Sequence, residues 1–99
     1  MQAIRDPEQV ARYAAAVIRR HVPDPAYRVF LFGSRATGSA APRSDIDIGI
    51  EGPAPVSRAA LAAIEEELEE APTLYTIDVV DFARVSETFR EVATQRIPL

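Results

Sequence analysis

Cysteine is absent from the 99 residues, which excludes a disulfide framework, a thiolate zinc site and a cysteine nucleophile. Lysine is absent as well: all eleven basic residues are arginine. With abundant alanine beside it, that bias is most simply the mark of a GC-rich coding sequence. No apolar run approaches the roughly 18 residues of a membrane helix, and no signal-peptide pattern opens the chain. The expectation is a soluble, cytoplasmic protein without a membrane role. Basic clusters are missing too, and the net charge of −4 argues against direct nucleic-acid binding, which needs concentrated positive charge. What is present is a globular composition, 47% apolar and 26% charged, in a length that suits one domain spanning residues 1–99.

Start and stop signals divide the chain into six elements. Asp6 is a good N-cap, Pro7 suits the first helical position, and Glu8 complements the dipole. Val10, Tyr13, Ala14, Val17, Ile18 and His21 follow at helical spacing until Pro23 and Pro25. Residues 27–32 read as a strand rich in β-branched and aromatic side chains, ended by Gly33. Small and turn-forming residues fill 34–44, and a second strand covers 45–50. Ser57 caps a helix with Leu61, Ile64 and Leu68 inward, a third strand spans 74–82, and a last helix starts near Ser86 or Glu87. That helix is expected to bury Phe89, Val92, Ala93 and Ile97. The order α-β-β-α-β-α predicts an α/β (α+β) fold, with helices packed on a small mixed sheet. No crossover helix separates the first two strands, so they are expected to pair antiparallel.

The second strand carries the chemistry. Alternation places Asp45 and Asp47 on one face and Ile46, Ile48 and Ile50 on the other. The two carboxylates repel unless a cation lies between them, and Mg²⁺ favours one or two carboxylates plus substrate phosphates. Taken alone, such a pair is common on a half-exposed strand. Gly33-Ser34 follows an apolar strand directly, where backbone N–H groups and the Ser34 hydroxyl make an anion site and a missing Cβ lets a phosphate approach. A third carboxylate, Asp78, stands among apolar strand residues and calls for a partner, either a metal or an arginine. Asp81, three residues on, turns to the other face and ends the strand.

Gly33-Ser34-Arg35-Ala36-Thr37-Gly38 followed by Ser44-Asp45-Ile46-Asp47-Ile48 resembles the signature of the minimal nucleotidyltransferases, within the polymerase-beta-like superfamily. Their pattern is Gly-Ser, ten residues, then Asp-x-Asp, and residues 35–44 supply the ten. Ile77-Asp78-Val79-Val80 resembles the segment carrying the family's third carboxylate. The resemblance implies a polymerase-beta-like core and a two-metal transfer of a nucleoside monophosphate, AMP from ATP, to a hydroxyl. Asp45, Asp47 and Asp78 are then the catalytic and Mg²⁺-binding residues. Gly33 and Ser34 hold the nucleoside triphosphate, and Arg35, Arg43 and Ser44 are nucleotide-site candidates. For the two arginines a phosphate contact and a loop ion pair stay open, and Ser44 also suits a bond to neighbouring backbone.

Little chain remains for an acceptor site, so the acceptor is expected on another protein. In the family, such a domain is commonly the antitoxin paired with a HEPN-domain toxin, implied to be neutralised by AMP transfer to a tyrosine. Two alternatives stay open: an antitoxin that acts by occlusion without catalysis, and a small-molecule nucleotidyltransferase subunit. A homo-oligomer is also left open. The glutamates 65–67, 69 and 70 read as a solvated face, His21 as a dipole-complementing helix end, and Tyr75 and Phe82 as packing.

Overall fold

The computed structural model describes residues 3–99. Helix α1 spans Pro7–His21 and begins as its sequence predicts, with the Asp6 carboxylate accepting the Glu8 amide at 3.0 Å and Pro7 in the first turn. Strand β1 (Arg28–Phe32) leads into a one-turn helix α2 (Ser34–Thr37), and β2 covers Ile46–Glu51. Helix α3 (Arg58–Glu69) is capped by Ser57, whose hydroxyl accepts the Ala60 amide. Strand β3 is Ile77–Asp81, α4 is Glu87–Val92 with Ser86 as its cap, and β4 is Ile97–Pro98.

The sheet runs β3-β2-β1-β4. β1 pairs antiparallel with β2, as the missing crossover required, and β2 pairs parallel with β3. The connection through α3 supplies the crossover that a parallel pair needs.

Two apolar layers sandwich the sheet. On one face, Ile46, Ile48 and Ile50, all fully buried, join Val10, Ala14, Val17 and Ile18 of α1 and Ile64 and Leu68 of α3. Each isoleucine contributes roughly 1.5–3 kcal/mol by leaving water, so this face fixes the register of β2. On the other face, the four phenylalanines Phe30, Phe32, Phe82 and Phe89 form an edge-to-face cluster with centroids 5.0–6.3 Å apart. Gly49 makes that cluster possible: a Cβ there would strike the Phe30 ring and stand 2.8 Å from Cε1 of Phe82.

The C-terminal expectation is corrected. The last helix ends at Val92, which is 77% exposed rather than buried, and Ile97 lies in a fourth strand, 44% exposed rather than buried. Leu99 donates its amide to Val29 O at 3.0 Å, so the chain end is held by a long-range pairing to β1. Pro98 is compatible with that position because β4 lies at the sheet edge. Residues 74–76, expected in the third strand, precede it, and Leu74 is 94% exposed. Glu67 departs from the solvated face expected of the glutamates. It bridges to Arg20 and, at 3.0 Å, to His21 Nε2, joining α3 to the end of α1.

Candidate active site

One row across the sheet assembles the site. Phe32 is the partner of Asp47 across β1 and β2, and Asp47 is the partner of Asp78 across β2 and β3. Neighbouring strands lie about 4.8 Å apart, which sets the two aspartates side by side. Asp45, just before β2, shares their side by alternation. The three predicted carboxylates are thus on the phenylalanine side of the sheet, away from the isoleucines. Asp45 and Asp78 are exposed and Asp47 is half-buried. Burial, then the charge of Asp78, then that of Asp45 raise the Asp47 carboxyl above its ordinary value of 3.8.

Gly33 follows Phe32 and meets this row. Its backbone (φ 73°, ψ −156°) lies in a region essentially restricted to glycine. A Cβ there would collide with Oδ2 of Asp47 and stand 3.3 Å from its Cγ. The carboxylate therefore packs directly on the glycine backbone. Ala36 and Thr37 donate to Gly33 O at 3.0 and 3.1 Å, closing the single turn of α2. The amides of Ser34 and Arg35 precede that first bond, the position where helix starts leave donors available. Gly38, left-handed at φ 80°, then ends the turn by donating to Ser34 O.

Arg35, Arg43 and Ser44 take different places. Arg35 donates to Ser44 O at 2.8 and 3.2 Å and to Pro42 O at 3.2 Å, with its guanidinium 5.0 Å from the Tyr75 ring centroid. It pairs with carbonyls rather than with a carboxylate, and it ties α2 to the loop that delivers Asp45. The Ser44 hydroxyl accepts the Ala41 amide at 2.9 Å, bracing the same loop. Arg43 is exposed and lines a recess with Ile4, Arg5 and Leu74 whose lining includes none of the three aspartates. Sequence reasoning missed the Arg35–Tyr75 clasp, whose partners lie forty positions apart with no motif joining them.

Asp81 confirms the opposite role expected for it. Its side chain is 3% exposed and accepts the amides of Val56 (2.8 Å) and Ala83 (3.0 Å), with Arg84 Nε at 3.3 Å. By contrast, Asp45, Asp47 and Asp78 make no ion pair among the described residues. Nor do three carboxylate, histidine or cysteine side chains converge among the described residues to enclose an ion. The set is open-faced, and an ion held there would draw further oxygen ligands from outside the protein, as Mg²⁺ bound with phosphates does.

Comparisons with known proteins identify the family and the fold. Residues 12–97 match the family model described as a nucleotidyltransferase domain. The Haemophilus influenzae protein named "Probable protein adenylyltransferase MntA" is 36% identical over 76 residues, covering 77% of this chain and 65% of that protein. Among solved structures, a toxin–antitoxin complex with AMP-PNP superposes with a TM-score of 0.62 at 22% identity, over 89% of this chain and 70% of the other. A complex of tri-AMPylated Shewanella oneidensis HEPN toxin with MNT antitoxin gives 0.62 at 18% identity, over 94% and 71%. At those identities the superpositions establish a shared fold. With the family model covering most of the chain, this protein belongs to the nucleotidyltransferase domain family.

Proposed function

We propose that this chain is a Mg²⁺-dependent protein adenylyltransferase that moves AMP from ATP to a hydroxyl, acting as the antitoxin of a HEPN-type toxin. The observation that carries the reading is the row Gly33, Asp47 and Asp78, with Asp45 beside it: three carboxylates without an ion-pair partner among the described residues, next to a glycine turn that has no room for a side chain. The similarity to an adenylyltransferase, and to chains from complexes of an AMPylated HEPN toxin and of AMP-PNP, supports the choice of nucleotide and partner.

In this reading residues 1–99 form one catalytic domain. The Ser34 and Arg35 amides and the Ser34 hydroxyl hold the triphosphate, and Arg35 positions the loop before Asp45. Asp45, Asp47 and Asp78 would hold the Mg²⁺ that accompanies the nucleotide. Bound ions neutralise phosphate charge and lower the pKa of the acceptor hydroxyl. The hydroxyl oxygen forms the new bond to the α-phosphorus, the bond to pyrophosphate breaks, and the hydroxyl proton is released. Most of the catalysis comes from positioning and charge stabilisation.

The test is incubation with ATP labelled at the α-phosphate, Mg²⁺ and the protein encoded by the neighbouring gene, with Asp45→Ala as control. Label on that protein, absent with Asp45→Ala, is the expected result. Neutralisation of the partner by Asp45→Ala, with no label in either case, would replace catalysis by occlusion.

A further inference from the structure

Among the described residues no strand pairs with the outer side of β3, and the site ends on this edge. Ile46 donates to Thr76 O and Phe82 to Ile50 O, so the even-numbered residues of β3 bond to β2. In a parallel ladder the alternate residues then turn their main-chain groups outward, and here those are Ile77 and Val79. Beside this edge runs a groove of about 410 Å³, whose lining includes Glu65, Leu68 and Glu69 of α3 with Tyr75, Ile77 and Val79. No lysine or proline, the usual guards of such an edge, interrupts β3.

We propose that the β3 edge docks an extended, basic segment of a partner protein by strand addition. Main-chain bonds to Ile77 and Val79 supply the pairing. Apolar side chains lie over Leu68 and Tyr75, and arginine or lysine meets Glu65 and Glu69. A second copy of this chain fits poorly: antiparallel pairing of two β3 edges opposes the acidic groups of each copy to those of the other, and facing like charges destabilise a strand pair. Charge therefore selects a foreign, basic partner. Alternation adds a constraint. A residue of the added strand in register with Asp78 points to the carboxylate side, while its neighbours point into the groove. On the nucleotidyltransferase reading proposed above, that residue carries the acceptor hydroxyl.

The test uses the whole chain and a short fluorescent peptide with one tyrosine, valine and arginine both placed at the flanking groove-facing positions, and threonine at the alternate ones. Two variants are compared: Glu65→Lys/Glu69→Lys, at exposed positions, and Val79→Pro, which removes an outward N–H where an edge strand tolerates proline. Each is expected to weaken peptide binding at least about tenfold, roughly 1.4 kcal/mol, with a folded circular-dichroism spectrum and nucleotide binding retained; Val79→Pro also melts lower, because Val79 packs against the core. Equal binding of the basic peptide and its glutamate counterpart overturns the proposal, as does unchanged binding in the charge-reversed variant. A dimer detected by sedimentation and lost in Val79→Pro also overturns it, by assigning the edge to a second copy. Label transfer to the partner separates the two readings. Normal peptide binding without any transfer refutes the nucleotidyltransferase reading and leaves the docking site. Transfer undiminished in both variants refutes the docking site and leaves the enzyme.

Discussion

Removing one negative charge from the row should make the metal-free protein more stable and the enzyme inactive. Asp47→Asn keeps the side-chain shape that packs on Gly33 and deletes the charge that burial, Asp78 and Asp45 all disfavour. Two carboxylates about 6 Å apart repel by ~0.7 kcal/mol at the dielectric of water and ~3 kcal/mol at an effective dielectric of 20. Asp78 is exposed, so the lower end applies, and with Asp45 the expected gain is about 1 kcal/mol. In a domain of this size that raises the melting temperature by about 4–8 °C. The assay is thermal unfolding in a chelator at low ionic strength, repeated at high salt, where screening should shrink the gain. A raised carboxyl makes its best contribution when protonated and becomes a liability as pH rises. The gain from Asn therefore holds at neutral pH and vanishes as pH falls below the ordinary value of 3.8. With Mg²⁺ and an ATP analogue at a hundred times its Kd, the parent should gain about 2.7 kcal/mol and overtake the variant. An Asp47→Asn melting temperature equal to or below the parent's in chelator would refute the repulsion argument.

Gly33→Ala should destabilise by about 1–3 kcal/mol from backbone strain alone and abolish nucleotide binding. Adding Asp47→Ala should restore part of the stability by removing the collision, and denaturant midpoints of the double-mutant cycle would show it. Arg35→Lys loses the forked contact to Ser44 O and Pro42 O and the Tyr75 stack, with an expected destabilisation of about 1–2 kcal/mol and slower label transfer by a protein still folded in circular dichroism. Asp81→Asn should reduce stability by about 3 kcal/mol, since it weakens a buried carboxylate's bonds to Arg84 and two amides. Well below its melting point it should leave label transfer intact, the reverse of Asp78→Asn. Glu67 is held below its ordinary value of 4.5 by its hydrogen bond to His21 and then by Arg20. Its stabilising contribution is therefore present above that value and lost as pH falls through the lowered one. The melting difference between the parent and Glu67→Gln should shrink on acidification, and a constant difference would contradict the clasp.

Where local chemistry decides, the sequence is readable. Asp6-Pro7 and Ser57 announce their helices through caps, and the alternation of Asp45-Ile46-Asp47-Ile48 announces both the buried and the charged face of β2. Asp78 and Asp81 are separable by parity alone. What stayed hidden depends on partners far along the chain. β4 is two residues long and exists only through Val29 and Phe30–Leu31, so no periodicity marks it. Val92 fits the apolar stripe of a longer helix, but α4 ends there and leaves it in solvent. Arg35 reads as a phosphate or ion-pair partner and Glu67 as part of a solvated face, because nothing local says that Tyr75, Ser44, Arg20 or His21 will meet them.

The three isoleucines of β2 have a consequence beyond holding the core. A slip of one residue against β1 would turn Ile46, Ile48 and Ile50 against the phenylalanine cluster and drive Asp45 and Asp47 under α1. Putting two unpaired carboxylates into that apolar layer costs several kcal/mol each, comparable with the whole stability of a small domain. No well-populated misregistered form is expected. A preparation of this protein should then show no folded fraction with a scrambled carboxylate row: the number of folded molecules and the number of assembled sites are one quantity.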